Sequence, residues 1–237
     1  GASGLLAALP AAEGLRVTAL PVLLEGRLQA VLCLGRAGGR EFAGEERSQA
    51  RQLADQVAVA LSNSKLIDEL KALTWGTLEA FARAIDAKSP WTAGHSGRVT
   101  TMSMRIARQM GHSDAELEIL HRGALLHDIG KLGISVKLLD KPGRLDDEEI
   151  QQVMNHPSIG GRILQPISSF SDILPIVEQH HEKFDGTGYP GKLAGDKIDI
   201  NARILAVADT YDAMTSDRPY RKGFDHEKAI RLILEET

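Results

Sequence analysis

Hydrophobic positions change their period along the chain. From Leu15 to Leu24, and again from Leu28 to Leu34, apolar residues crowd short runs rich in Val and Leu, separated by Glu25-Gly26-Arg27. That pattern predicts two strands joined by a turn. A glycine-rich stretch, residues 36–40, follows. From about Gly44 the period lengthens: Leu53, Val57 and Leu61, then Leu66, Leu70 and Leu73, recur at the spacing of one face of a long helix. Two strands and one helix cannot close a core, so this region is expected to pair with further sequence or a second chain. From roughly Trp75 onward the chain reads as helices joined by short loops, an all-α bundle. Ser113 with Glu116, and Asp146 with Glu149, form capping-box patterns, and Asp225 stands as a cap before Ala229, Ile230, Leu232 and Ile233.

Composition narrows the setting. The 237 residues allow one sizeable domain plus a smaller piece. A net charge of −4 gives no basic surface for a DNA or RNA polymer and no polybasic membrane patch, while leaving room for a small anion held by metal ions. No uncharged apolar run approaches the roughly 18–20 residues of a membrane span, and no signal-peptide pattern is seen. The single cysteine, Cys33, lies in an apolar run and reads as core, which fits a reducing, cytoplasmic setting. The chain opens inside a pattern, on Gly rather than Met, and is expected to be a piece of a longer protein.

The chemistry lies in scattered histidines and acids. In Leu125-Leu126-His127-Asp128-Ile129-Gly130-Lys131 an apolar helix runs out at an adjacent His and Asp. His95 begins a helix, His156 precedes Pro157 between two helices, and His180-His181 precede a stretch ending in Gly186, Gly188 and Pro190. Consecutive helical residues point about 100° apart, so His180 and His181 converge only where a helix ends. Asp209 sits in the apolar helix around Ile204 to Ala208. A carboxylate there needs a cation, either a metal or an arginine such as Arg203. Each histidine alone would pass for an exposed or satisfied one. Together, His95, His127, Asp128, His156, His180, His181 and Asp209 form a metal-ligand inventory. His112, His121 and His226 have polar surroundings and are taken as surface residues.

These residues carry a resemblance. The series His95, His127-Asp128 with Gly130-Lys131, His156, His180-His181-Glu182, the loop Asp185-Gly186-Thr187-Gly188-Tyr189-Pro190 and the run from Ala208 to Arg221 resembles the HD-GYP branch of the HD metal-dependent phosphohydrolases, over roughly Thr77 to Thr237. The family's last helices would lie beyond the final residue. Strand, turn, strand and helix, with Pro21, Gly26 and Phe42, resemble the C-terminal half of a GAF sensor domain, although a short hairpin with an amphipathic dimerisation helix explains them nearly as well. The fold class is therefore α+β overall: a partial α/β GAF-like segment (residues 1–62), a connecting signalling helix (63–76) and an all-α HD-type bundle (77–237).

The resemblance implies a metal-dependent cyclic-dinucleotide phosphodiesterase that opens cyclic di-GMP to linear pGpG, and further to GMP, with a metal-bridging hydroxide as attacking group. One divalent metal, Fe or Mn, would take His95, His127, Asp128 and Asp209, and the other Asp128, His156, His180 and His181. Lys131 would meet a phosphoryl oxygen or the leaving group. Asp185, Gly186, Gly188, Tyr189 and Pro190 would form a substrate loop, with Arg218 and Arg221 as further contacts. A GGDEF-type protein is implied as a partner of that loop, and a homodimer is expected through the long helix. Members that hold three metals carry a glutamate four residues before the first histidine; Trp91 stands there, which implies two metals and the linear product. The rival readings are a dinucleotide receptor with poor turnover and another HD nucleotide phosphohydrolase.

Overall fold

The structure is a computed structural model and describes residues 16–24, 26–217 and 222–235. It divides into two compact units, residues 1–74 and 75–237. In the first, β1 (Arg16–Leu24) and β2 (Arg27–Arg36) pair antiparallel, with Leu20 opposite Leu32 and a register shift between Val22 and Leu23. Gly26 turns the hairpin at φ 74°, a value glycine adopts freely. Helix α1 runs from Gly44 to Asp86 and lays Ala50, Ala54, Val57 and Ala58 against Leu20, Val22 and Leu32. Further along, Leu66, Ile67, Leu70 and Leu73 are exposed.

The second unit takes in the end of α1 and continues with α2 (His95–Gln109), α3 (Asp114–Leu126), α4 (Val136–Leu139), α5 (Asp147–Met154), α6 (His156–Leu164), α7 (Leu174–Gln179), α8 (Ile200–Thr215) and α9 (His226–Glu235). A short 3₁₀ helix, Ile129–Gly133, lies between α3 and α4. No strand occurs among its described residues. Both capping boxes form: Ser113 with Glu116 at α3 and Asp146 with Glu149 at α5. Asp225 accepts the backbone N–H of Lys228 at 2.8 Å.

One core cluster joins Leu78, Ala82 and Ile85 of α1 to Leu125, Leu126, Ile129, Leu164, Ile173 and Val177. A second joins Val99, Ala124, Ile176, Leu205 and Ala208. Leu126, Ile176 and Leu205 are fully buried, each worth about 2 kcal/mol of apolar transfer. Leu126 precedes His127, Val177 lies three residues before His180, and Ala208 precedes Asp209. The best-packed residues are thus chain neighbours of the chemical ones, and core packing sets where those side chains point. Among the described residues no helix is long and apolar enough to cross a membrane.

Candidate metal centre

Helix ends converge on one place. His95 is the first residue of α2, His127 follows α3, His156 opens α6, His180 and His181 follow α7, and Asp209 sits within α8. His95, His127, Asp128, His156 and His180 are each at most 3% exposed. Ligand atoms of His95, His127 and Asp128 lie within 4.8 Å of one another, and so do those of His156, His180 and His181. Asp128 stands between the two groups. Its Oδ2 is 3.6 Å from His95 Nε2 and 3.4 Å from His127 Nε2, while its Oδ1 is 3.4 Å from His156 Nε2. Asp209 Oδ1 lies 3.3 Å from His95 Nε2.

The hydrogen bonds show what this cluster lacks. His127 Nδ1 meets the carbonyl of Ala124 at 2.7 Å, His156 Nδ1 that of Val153 at 2.8 Å and His180 Nδ1 that of Val177 at 2.8 Å. A carbonyl only accepts, so each Nδ1 carries a proton and each Nε2 is left turned toward the centre, a lone pair wherever the ring is neutral. His156 Nε2 and His180 Nε2 face each other at 3.2 Å, and two lone pairs cannot satisfy one another. His127 Nε2 is buried with no hydrogen-bond partner, Asp128 Oδ2 standing 3.4 Å away. Each stranded acceptor costs about 1–3 kcal/mol. A proton is a poor remedy for His180: burial, then the neighbouring His181, His127 and His156, hold its pKa well below the ordinary value. Burial lowers His156 too, against the opposing charge of Asp128. A cation met by these lone pairs removes the penalty, and imidazole with carboxylate suits Fe, Mn or another first-row metal. The residues fit metal ions.

The His95 side is more acidic. Its Nδ1 donates to Asp212 Oδ2 at 2.8 Å, and Arg98 donates to both oxygens of Asp212, at 2.6 and 2.9 Å. Burial opposes a charge on His95, but hydrogen bonds to Asp209 and Asp212 outweigh it and lift the pKa to about 9. The same field that holds this proton would hold a metal ion. Burial would raise the pKa of Asp128, yet the positive charge of Lys131, foremost among its neighbours, holds it well below the carboxylate range. Lys131 Nζ is 2.5 Å from Asp128 Oδ2. Burial pushes His181 down to about 4, so this ring is neutral near pH 7.

Two glycines permit the close approaches. A Cβ on Gly130 would lie 1.8 Å from the carbonyl oxygen of His156, so the 3₁₀ helix and α6 meet backbone to backbone. A Cβ on Gly188 would lie 2.2 Å from the amide nitrogen of Lys183. Glu182, buried, accepts the N–H groups of Gly191 at 2.5 Å and Leu193 at 3.0 Å and ties down the far side of that loop. Asp185 accepts both the N–H and the hydroxyl of Thr187. Tyr189 stacks on His181, ring centres 4.8 Å apart, so one of its faces is already taken.

All seven candidate ligands therefore meet, and Lys131 stands beside them on Asp128; Arg218 and Arg221 lie outside the described residues. Arg203 is not the partner of Asp209, because it pairs with Asp196 at 3.1 Å. The apolar surroundings suggested a sealed Asp209, but its side chain is 17% exposed, and Val207 and Thr210 beside it on α8 also face solvent. His226 is exposed, as expected. His121 is a correction: it is half-buried, stacked on Trp75 with ring centres 4.5 Å apart, and burial lowers its pKa. His112 is likewise only partly exposed. Sequence reasoning missed Asp212, Arg98 and Glu182 as supports. For Asp212 a signal existed: three residues after Asp209, it shares a side of α8 with it.

A helical bundle that gathers imidazoles and carboxylates around one place has the donor set of a metal-binding class. The chain belongs to the HD domain family, whose model matches residues 79–237. It is 47% identical over 156 residues to a Vibrio cholerae protein named 3'3'-cGAMP-specific phosphodiesterase 3, covering 66% of this chain and 34% of that protein. It is 44% identical over 146 residues to a cyclic di-GMP phosphodiesterase of Thermotoga maritima, covering 60% and 39%. Among solved structures, an HDG"Y"P protein from Bdellovibrio bacteriovorus superposes with a TM-score of 0.52 at 25% identity, over 62% of this chain and 47% of the other. The chain thus spans between a third and a half of the length of these relatives.

Proposed function

We propose that the chain hydrolyses a 3'–5' phosphodiester bond of a cyclic dinucleotide, cyclic di-GMP first, giving linear pGpG. The observation that carries this reading is the division of Asp128, whose two oxygens face two separate histidine groups. In the same proposal His95, His127, Asp128 and Asp209 hold one divalent metal, and Asp128, His156, His180 and His181 hold a second. Bound there, two such ions supply Lewis-acid activation of water and neutralise phosphoryl charge.

The protein's own groups do the rest. Carbonyls of Ala124, Val153 and Val177 hold three rings in one tautomer, and Asp212 with Arg98 orients the fourth. Most of the donor set is sealed, but the side chains of Asp209 and Lys131 are 17% and 21% exposed, so substrate approaches from their side. Lys131 Nζ is placed to meet a non-bridging oxygen, or to donate a proton to the 3'-oxygen as its bond to phosphorus breaks and the oxygen of water joins phosphorus. Asp185, Gly186, Gly188, Tyr189 and Pro190 shape the loop beside His181, and Arg218 and Arg221 contact the ligand. Trp91 offers no ligand where a third metal would need a glutamate, which favours the linear product.

A relative named for 3'3'-cGAMP supports that dinucleotide as the second reading. Within the proposal, residues 1–62 are a partial GAF-like sensor, 63–76 a connecting helix and 77–237 the catalytic domain, with the hairpin packed on the start of α1 as support. The test is steady-state hydrolysis of both dinucleotides with Mn(II) or Fe(II) supplied, products separated by chromatography. Turnover of either to a linear dinucleotide supports the reading. Protein carrying two metals per chain that binds a dinucleotide and turns over neither overturns it in favour of a receptor.

A further inference from the structure

The turn that closes α1 grips two of the segments that carry the centre. Lys88 lies two residues past Asp86, the last residue of α1. Its Nζ donates to the carbonyls of Lys131 at 2.5 Å, Leu132 at 2.9 Å and Ile134 at 2.6 Å. An ammonium has three N–H donors and no acceptor. All three are spent on one backbone segment, the one that carries Lys131 and follows Asp128. The carbonyl of Lys131 also accepts the N–H of Ile134 at 3.0 Å; carbonyls late in a helical turn keep acceptor capacity to spare, and a cation is their natural complement.

Asp86 does the converse. It is 6% exposed, and its carboxylate accepts the N–H of Ser96 at 3.2 and 3.3 Å and the hydroxyl of Ser96 at 2.7 Å. Ser96 is the second residue of α2, next to His95. The single proton of the Thr92 hydroxyl is shared between the carbonyls of Asp86 and Ser89, at 2.8 and 2.9 Å, and helps fold this turn. An acid holds the amide end of one element and, two residues on, a base holds the carbonyl end of another. Such charge-assisted bonds are about twice as strong as neutral ones.

We propose that Lys88, seconded by Asp86, is a positioning residue: it sets Lys131 against Asp128 by fixing the backbone of residues 131–134. It acts through Lys131 and does not itself meet substrate. The kinetic part of this inference rests on the phosphodiesterase reading; the structural part does not.

The test compares Lys88→Met, Lys131→Met and the double variant in the full metal-loaded chain, by hydrogen exchange and by hydrolysis. Lys88→Met is expected to speed amide exchange in peptides covering residues 129–136 while those from α8 stay as in the wild type, and Lys131→Met is expected to leave both alone. It is also expected to lower kcat about tenfold or more with little change in KM, since Lys131 serves charge that develops during the reaction. The double variant should be no slower than Lys131→Met, and Lys88→Arg should recover part of the loss. Unchanged exchange at 129–136, or a double loss equal to the product of the single ones, overturns the proposal. A wild type that hydrolyses no dinucleotide sinks the functional reading alone, and the exchange arm still decides this one. If Lys88→Met does not fold, Lys88→Gln, which keeps two N–H donors, takes its place under the same criteria.

Discussion

Replacing Gly130 by alanine tests how tightly the centre is set. The added Cβ would fall 1.8 Å from the carbonyl oxygen of His156 and 2.6 Å from the amide nitrogen of Gly160, whereas real contacts of this kind stay beyond 3.0 Å. Both obstacles are main chain, so no side chain can swing aside. The segment carrying Asp128 and the helix opening with His156 must part by more than about 1 Å, with an overpacking cost of about 1–3 kcal/mol. Asp128 Oδ1 and His156 Nε2 now stand 3.4 Å apart, and metal–ligand distances tolerate only about 0.2 Å. Gly130→Ala is expected to bind one metal per chain in place of two and to lose at least about a hundredfold in kcat/KM. Gly123→Ala is the control. Its Cβ would meet Ile176 Cδ1, Cγ2 and Cβ at 2.6, 2.9 and 3.0 Å, a core side chain and no main chain, so it should lose stability yet keep both metals and turnover. The assays are metal analysis of purified protein, thermal unfolding and hydrolysis. Two tightly bound metals and wild-type turnover in Gly130→Ala would refute the reasoning.

Other outcomes follow from the same geometry. Asp128→Ala removes the carboxylate whose two oxygens face the two histidine groups, so metal analysis should find both positions depleted and hydrolysis abolished; retained turnover in metal-replete protein would defeat the bridging role. Asp212→Asn leaves His95 without its charged acceptor, and metal affinity on that side should fall about 10–100-fold while the His156 side is unchanged, as read by competition titration. Leu66, Leu70 and Leu73 are 59%, 64% and 67% exposed on α1. The chain is therefore expected to sediment as a dimer at micromolar concentration, and Leu66→Glu with Leu70→Glu to sediment as a monomer.

How much of this could be read in the sequence depended on the range of the interaction concerned. The capping boxes at Ser113 and Asp146 are local, written within four residues, and both form. The long helical period from Gly44 is also local, and α1 follows it. Candidate ligands were legible because seven imidazoles and carboxylates at helix ends or in apolar stretches, in one family-like order, are more than caps and surface residues account for. Lys88 was not, because its partners are carbonyls more than forty residues away, and every residue type has a carbonyl. Glu182 was missed for a similar reason, since it binds amides in the loop that follows. His121 was misread because its polar neighbours say nothing of Trp75, brought alongside only by packing.

The three histidines that lean on carbonyls three residues earlier carry a further consequence for how such a chain can vary. His127, His156 and His180 are aimed by the last turns of α3, α5 and α7. One residue inserted into any of those turns would swing its ring by about 100° and carry the lone pair off target. Connecting loops can therefore lengthen or shorten at small cost, while the phase of those three turns is as constrained as the histidines themselves.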